Sequence, residues 1–96
     1  MKRLDKVITL RGVGKPDIIA TQLQRTNNVC LYERSDEVWE VWKPTIIPKG
    51  KVIFDTVYDD DTEMPPVNED FGYIALCIAD KKQALKRYND WVQQFG

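Results

Sequence analysis

The segment VCLYERSDEVWEVWK, residues 29–43, decides the fold because it contains the two clearest strands of the chain. Residues 29–34 and 37–43 are rich in aromatic and β-branched side chains, and Ser35-Asp36 between them suits a two-residue hairpin turn. Counting outwards from that turn sets the strand register. It predicts three cross-strand pairs on one face: Arg34 with Glu37, Tyr32 with Trp39, and Cys30 with Val41.

The preceding segment, residues 18–26, can be interpreted as a strand or as a helix opened by Pro16-Asp17. A strand is favoured because apolar and polar residues alternate and Asn27-Asn28 follows as a turn. Counting across that turn places Leu23 beside Tyr32. The sequence therefore predicts one shared buried face, made of Ile19, Leu23, Cys30, Tyr32, Trp39 and Val41.

Three further strands are predicted at residues 7–10, 51–58 and 71–79, the second with Val52, Phe54 and Tyr58 on one face. A helix follows, because Asp80 and Gln83 can form a capping box. Its apolar stripe comprises Ala84, Leu85, Tyr88, Trp91, Val92 and Phe95. The predicted fold is α+β, with an antiparallel meander of four to five strands and one C-terminal helix packed on one face.

The composition excludes several classes of protein. The 96 residues are 43% hydrophobic and 30% charged, which fits one globular domain spanning residues 1–96. The absence of histidine excludes Ser–His and Cys–His nucleophiles and imidazole zinc sites. Cys30 and Cys77 are too few for a disulfide framework, so both are expected to be reduced. Neither a signal peptide nor a membrane-spanning segment is evident, and we expect a cytoplasmic protein without a cofactor.

Charge is unevenly distributed along the chain, although the formal net charge is only −1. A basic N-terminal segment, residues 1–15, could track nucleic-acid phosphates. Its five cations are Lys2, Arg3, Lys6, Arg11 and Lys15. No aromatic residue interleaves with them to stack on bases. Within this segment, Gly12 to Lys15 fails as a phosphate loop, because Pro16 stands where such a loop needs Ser or Thr.

An acidic loop, residues 59–70, follows the predicted strand 51–58 and contains no base. Three interpretations stay open for it. It is a solvated loop, a protein-binding surface that competes with nucleic acid for a basic groove, or a site for a hard cation. The cation interpretation would make the chain a metal-dependent phosphodiester enzyme built on Asp55, Asp59 and Asp61.

Trp42 is the single residue that most strongly indicates a binding surface. In the predicted register it lies opposite Val29, on the face away from Tyr32 and Trp39, in an apolar patch with Glu40 at its rim. Such a patch is typical of a partner or dimer surface, where tryptophan is a common anchor. The alternative is that strand 51–58 or the N-terminal segment covers it.

The stretch PVNEDFG, residues 66–72, precedes a predicted strand and an amphipathic helix, and Trp39-Glu40-Val41-Trp42 follows a tyrosine-containing strand and a short turn. Over residues 20–95 this pattern resembles small phage-encoded proteins of unknown function. The resemblance implies no activity and no catalytic residues. It implies a phage or prophage setting, in which small proteins often bind and disable a host protein.

These observations predict a non-enzymatic protein-binding module, an inhibitor or modulator of a host protein such as a defence or nucleic-acid enzyme, of the anti-CRISPR kind. No catalytic residue and no metal ligand is predicted. The expected partner-binding residues are Asp59, Asp60, Asp61, Glu63, Trp42 and Glu40. The alternatives are a nucleic-acid-binding accessory protein that uses the basic segment, and the phosphodiester enzyme. An exposed strand edge would also permit a homodimer.

Overall fold

A five-stranded antiparallel sheet forms the centre of the molecule, in a computed structural model that describes residues 1–10, 16–66 and 72–96. The strands follow one another across the sheet in the order β1 (Val7–Leu10), β2 (Ile18–Arg25), β3 (Cys30–Arg34), β4 (Trp39–Trp42) and β9 (Ala75–Ile78). One helix, α1 (Lys81–Phe95), packs on it. The α+β meander is thereby confirmed, and residues 18–25 form a strand rather than a helix.

Between β4 and β9 the chain leaves the main sheet and forms a smaller unit. There β5 (Thr45–Ile47) pairs with β8 (Thr62–Met64), and a hairpin of β6 (Val52–Ile53) and β7 (Thr56–Val57) lies between them in the chain. The prediction of one strand over residues 51–58 was wrong, because Phe54 and Asp55 adopt positive φ and reverse the chain. Strand β8 also occupies part of the predicted acidic loop.

The predicted register of the central hairpin was wrong by one residue. The observed pairs are Cys30 with Trp42, Leu31 with Val41, Tyr32 with Glu40, and Glu33 with Trp39. The shift arises at Glu37, whose φ is 63°. It adds a third residue to the Ser35-Asp36 loop, so Arg34 instead donates its N–H to the carbonyl of Val38 at 2.7 Å. A turn ending in a left-handed residue is the usual three-residue hairpin loop.

Because of the one-residue shift, the side chains that share a face of the central strands differ from those predicted. The Trp42 face carries Ala20, Cys30, Tyr32, Trp42 and Ala75, all fully buried, with Leu4 of the N-terminal segment packed against them. Tyr32 and Trp42 stack there with ring centroids 4.3 Å apart. The predicted common face of Ile19, Leu23, Cys30, Tyr32, Trp39 and Val41 is therefore incorrect.

The opposite surface of the sheet, the helix face, carries Val29, Leu31 and Val41, which pack against Ala84 and Tyr88 of α1. Leu23 lies at a bulge between Gln22 and Gln24, so Gln22 rather than Leu23 pairs with Tyr32. A bulge interrupts the simple alternation from which the pairing was counted.

Helix α1 begins as the sequence predicts. Asp80 is its N-cap and accepts the N–H of Lys82 at 2.9 Å, where the capping-box pattern named the N–H of Gln83. The helix contacts β3, β4 and β9, whereas Val7 of β1 and Ile19 of β2, on the same face of the sheet, are exposed. Among the helical residues that the structure describes, no stretch is long and apolar enough to cross a membrane.

Candidate functional site

The candidate site is a protruding hairpin, residues 51–58, that we call the Phe54 hairpin. It begins at a tight turn in which Lys51 donates its N–H to the carbonyl of Pro48 at 3.2 Å. Gly50 is the third residue of that turn and has φ 86°, a conformation that a type II turn requires and that glycine adopts without a steric penalty.

Backbone hydrogen bonds join the two arms of the Phe54 hairpin, and at its base the carbonyl of Tyr58 accepts the N–H of Gly50 at 2.8 Å. Tyr58 donates to the carbonyl of Lys51 at 3.0 Å, and Val52 lies opposite Val57. The reversal is made by Phe54 and Asp55, whose φ angles are 47° and 64°. Two consecutive residues with positive φ define a type I′ turn, where Asn-Gly is the favoured sequence. A phenylalanine in this conformation costs about 1–2 kcal/mol.

The side chains of the Phe54 hairpin are unusually exposed for apolar groups. Phe54 is 98% exposed, and Val52 and Val57, which share one face of the hairpin, are 60% and 63% exposed. Phe54 thus occupies a strained backbone position and contributes no packing to its own fold. Tyr73 is also exposed, but it lies in the segment before β9 and is not part of the hairpin.

Three predicted partner-binding acids, Asp59 to Asp61, lie at the base of the hairpin and are held there. Asp59 pairs with Lys2 at 2.8 Å, and Asp60 lies 3.1 Å from the Met1 ammonium. Hydrogen bonds from these cations lower the pKa of both carboxyls below the ordinary value. Asp61 accepts the N–H of Lys49 at 2.8 Å, which ties the acids to the turn that starts the hairpin.

The fourth predicted acid, Glu63, is buried and not at the surface. Its carboxylate accepts two hydrogen bonds from Arg25, at 2.8 and 3.0 Å, and the N–H of Leu4 at 3.0 Å. Burial by itself would raise the pKa of Glu63. The hydrogen bonds from Arg25 and Leu4 and the charges of Arg25 and Arg3 outweigh it and hold that pKa below its ordinary value. Glu63 therefore anchors the small sheet to the main sheet.

Trp42 and Glu40 are buried as well, so the predicted surface patch around Trp42 is incorrect. Trp42 is fully buried and donates its indole N–H to Glu40 Oε1 at 2.7 Å. Glu40 also accepts from Arg34 at 3.0 Å. The corrected register turns Trp42 towards Tyr32, and Leu4 packs against their cluster, as the alternative interpretation expected.

The basic N-terminal segment is not a free cationic arm in the part of it that the structure describes. Lys2 is paired with Asp59, and Arg3 lies 3.7 Å from Glu63 and donates to the Asn27 side chain at 3.2 Å. Lys6 is exposed. Arg11 and Lys15, with the glycines between them, lie outside the described residues, as do residues 67–71 of the phage-like stretch.

The carboxylates of the enzyme interpretation are dispersed. Asp55 lies at the hairpin tip, whereas Asp59 and Asp61 lie at its base with a lysine and a backbone amide as partners. Across residues 1–10, 16–66 and 72–96, no three His, Cys, Asp or Glu side chains form a group that could hold a metal ion.

The Phe54 hairpin was not predicted from the sequence, although two signals mark it. Pro48-Lys49-Gly50 predicts a tight turn, and Asp55 interrupts an apolar run, as turn residues do. No protein-family model, no curated protein and no solved structure matches the chain.

Proposed function

We propose that the protein is a non-enzymatic protein-binding module that docks on its partner through the Phe54 hairpin. The observation that carries the proposal is Phe54 itself, which is 98% exposed at a φ of 47°. A residue that is both strained and unpacked destabilises the free protein. Strained positions of this kind cluster where a protein meets a ligand or partner.

The Phe54 hairpin has the anchoring capacity that a small interface needs. Burying a phenylalanine or valine side chain contributes about 1.5–3 kcal/mol relative to leaving it exposed. Phe54, Val52 and Val57 together could therefore supply the apolar centre of an interface, with the polar residues at the hairpin base as its rim. The complementary surface is an apolar cleft wide enough for one aromatic ring and the hairpin arms.

The charges of the hairpin favour a protein partner over nucleic acid. Of the acids in and beside the hairpin, Asp59 and Asp60 are paired with Lys2 and the Met1 ammonium, whereas no ion pair among the described residues neutralises Asp55 at the tip. Asp55 stands beside Phe54 at the tip, where a wedge inserted between bases would meet phosphates. The Asp55 carboxylate at the tip is complementary to a basic residue beside the partner's cleft.

The resemblance to small phage-encoded proteins supports a narrower form of the proposal. In a phage or prophage setting the partner is a host protein in the cytoplasm, and the module inhibits or modulates it. Enzymes that act on nucleic acids, defence enzymes among them, contact phosphates through positively charged surfaces, and the Asp55 carboxylate beside the Phe54 anchor suits such a surface.

The experiment compares the natural chain with the double variant Phe54→Asn/Asp55→Gly, which installs the preferred type I′ turn. Each protein is immobilised and exposed to a nuclease-treated host lysate, and captured proteins are measured by mass spectrometry. We expect one stoichiometric partner with the natural chain and its loss with the variant. We also expect the variant to gain about 1–2 kcal/mol in free energy of unfolding, because the strain is relieved.

If the double variant is more stable but no longer binds, its loss of binding cannot be due to unfolding. The matched control is Tyr73→Ser, which removes a second exposed aromatic and should leave capture unchanged. Equal capture by the double variant would exclude the hairpin as the binding element. Capture from an untreated lysate that is absent from the nuclease-treated lysate would instead support the nucleic-acid alternative, with Lys2, Arg3 and Lys6 as the first residues to change.

A further inference from the structure

Strand β1 is an open edge of the main sheet, and one hydrogen bond shows which of its backbone N–H and C=O groups face outwards. Gln22 donates its N–H to the carbonyl of Lys6 at 2.7 Å. In an antiparallel ladder, hydrogen-bonded pairs recur every second residue, so Ile8 and Leu10 also direct their backbone groups towards β2. Val7 and Thr9 then direct theirs away from the sheet. Among the described residues, no hydrogen-bond partner lies on that side of β1.

Within β1 itself no side chain blocks pairing with another chain, although the charged Lys6 lies next to its first residue. The sequence of β1, Val-Ile-Thr-Leu, contains no charge and no proline, and its pairing with β2 has no bulge. These are the devices by which edge strands usually avoid pairing with another chain. Val7 is 57% exposed and Thr9 lies beside Ile19, which is also exposed, on the part of the helix face that α1 does not reach.

The other edge of the sheet, β9, is partly closed. The carbonyl of Ala75 faces outwards and accepts the N–H of Gly72 at 2.8 Å. The chain also turns into α1 two residues after β9 ends. A strand added from outside would therefore find a more complete set of partners at β1.

We infer that β1 pairs antiparallel with β1 of a second copy of the chain, about a two-fold axis at Ile8. In this register Val7 lies opposite Thr9 of the second copy, and the reverse. Four backbone hydrogen bonds join the outward groups, and the two sheets form one sheet of ten strands. This inference rests on the edge of the main sheet and is independent of the Phe54 hairpin.

A second copy of the chain is the expected partner of β1, because the edge is complementary to itself. The outward groups of Val7 and Thr9 are spaced symmetrically about Ile8, so one two-fold axis satisfies all of them. The same register places Lys6 opposite Leu10, and no like charges face each other. The formal net charge of −1 also leaves little long-range repulsion between two copies.

The interface is small, so the dimer should be weak and should be detected only at high protein concentration. A pair of four-residue strands buries less than the roughly 1,200 Å² of a standard stable interface. We therefore expect a dissociation constant on the order of 10 µM to 1 mM. The association should be rapidly reversible and visible only as the protein concentration rises.

The test combines sedimentation velocity with amide hydrogen exchange over that concentration range. We expect the average mass to rise towards a dimer. The amides of Val7 and Thr9 should gain protection with concentration, whereas the amide of Ile8 should be protected throughout. A monomer at the highest concentration would overturn the inference, and so would a dimer in which Val7 and Thr9 exchange as fast as in the monomer.

Two edge variants and one control complete the experiment. Thr9→Pro removes an outward N–H that β2 does not use, and Val7→Lys places a charge on the edge, so each should abolish dimerisation while the Ile8 amide stays protected. The double variant Phe54→Asn/Asp55→Gly should dimerise normally. Dimerisation that is lost in that control but retained in the edge variants would show that the hairpin mediates self-association, and would overturn the inference.

Discussion

At the scale of single residues, buried carboxylates organise the interior. Glu40 and Glu63 are the buried acids of the described residues, and each faces an arginine. Glu40 joins the indole N–H of Trp42 to Arg34, so one carboxylate satisfies a buried donor and a guanidinium at once. Removing such a group leaves its donors without partners, which costs more than the net contribution of the bonds.

We expect Glu40→Ala to lower the free energy of unfolding by about 2–4 kcal/mol, because Trp42 and Arg34 both lose their buried acceptor. The measurement is urea denaturation followed by Trp fluorescence. Asp36→Ala is the matched control, since Asp36 pairs with the same Arg34 but is exposed. It should cost less than about 1 kcal/mol. Equal losses in the two variants would contradict the buried role of Glu40.

At the scale of elements, short loops decide which side chains a strand buries. The three-residue loop before β4 contains Glu37 at φ 63°, and the tip of the Phe54 hairpin contains two residues with positive φ. At the first loop the conformation sets the register of the central strands. At the second it exposes Phe54. Both loops contain residues with positive φ. In the first loop this conformation leads to the burial of Trp42, and in the second it leads to the exposure of Phe54.

The loop before β4 gives a prediction that needs no partner. Glu37→Gly should raise the free energy of unfolding by about 0.5–1 kcal/mol, since glycine removes the left-handed strain but adds freedom to the unfolded chain. Asp36→Gly, in the same loop without positive φ, should give no gain. Chemical denaturation of both variants checks the difference. A loss of stability in Glu37→Gly would mean that the Glu37 side chain, rather than its backbone, holds the loop.

At the scale of the whole molecule, Glu63 connects three separate segments. It binds Leu4 in the N-terminal segment and Arg25 at the end of β2, while lying in β8 itself. The pKa of Glu63 is lowered from its ordinary value of 4.5, so the unfolded chain takes up this proton at a higher pH than the folded chain. The stability that the ionised carboxylate contributes is therefore present above pH 4.5 and is lost as the pH falls through the lowered pKa.

We expect the free energy of unfolding to decrease as the pH falls below about 5, and Glu63→Gln to make that decrease shallower. Urea denaturation at a series of pH values is the measurement. Asp59→Asn is the control, because Asp59 also has a lowered pKa but its ion pair with Lys2 is exposed and screened by water. An unchanged pH dependence in Glu63→Gln would exclude Glu63 as the acid-sensitive connection.

The amino-acid sequence alone determined the types of the main elements. The N-cap at Asp80 and the stripe at three- and four-residue spacing predict α1, and local composition predicts β1 to β4 and β9. These signals lie within a few residues of each other, so they can be read without knowing the fold. The Phe54 hairpin escaped prediction because Phe-Asp is not a preferred sequence for a type I′ turn.

Tertiary structure decided which of these elements meet and which faces they bury. The position of Trp42 depended on Glu37, a residue type that gives no signal for a left-handed conformation, and a shift of one residue in a strand exchanges its two faces. The burial of Glu63 depended on Arg25, 38 positions away in the chain. The spacing of apolar residues along the chain shows whether a segment is a helix or a strand. The register of a strand and its long-range partners are set only when the whole chain packs.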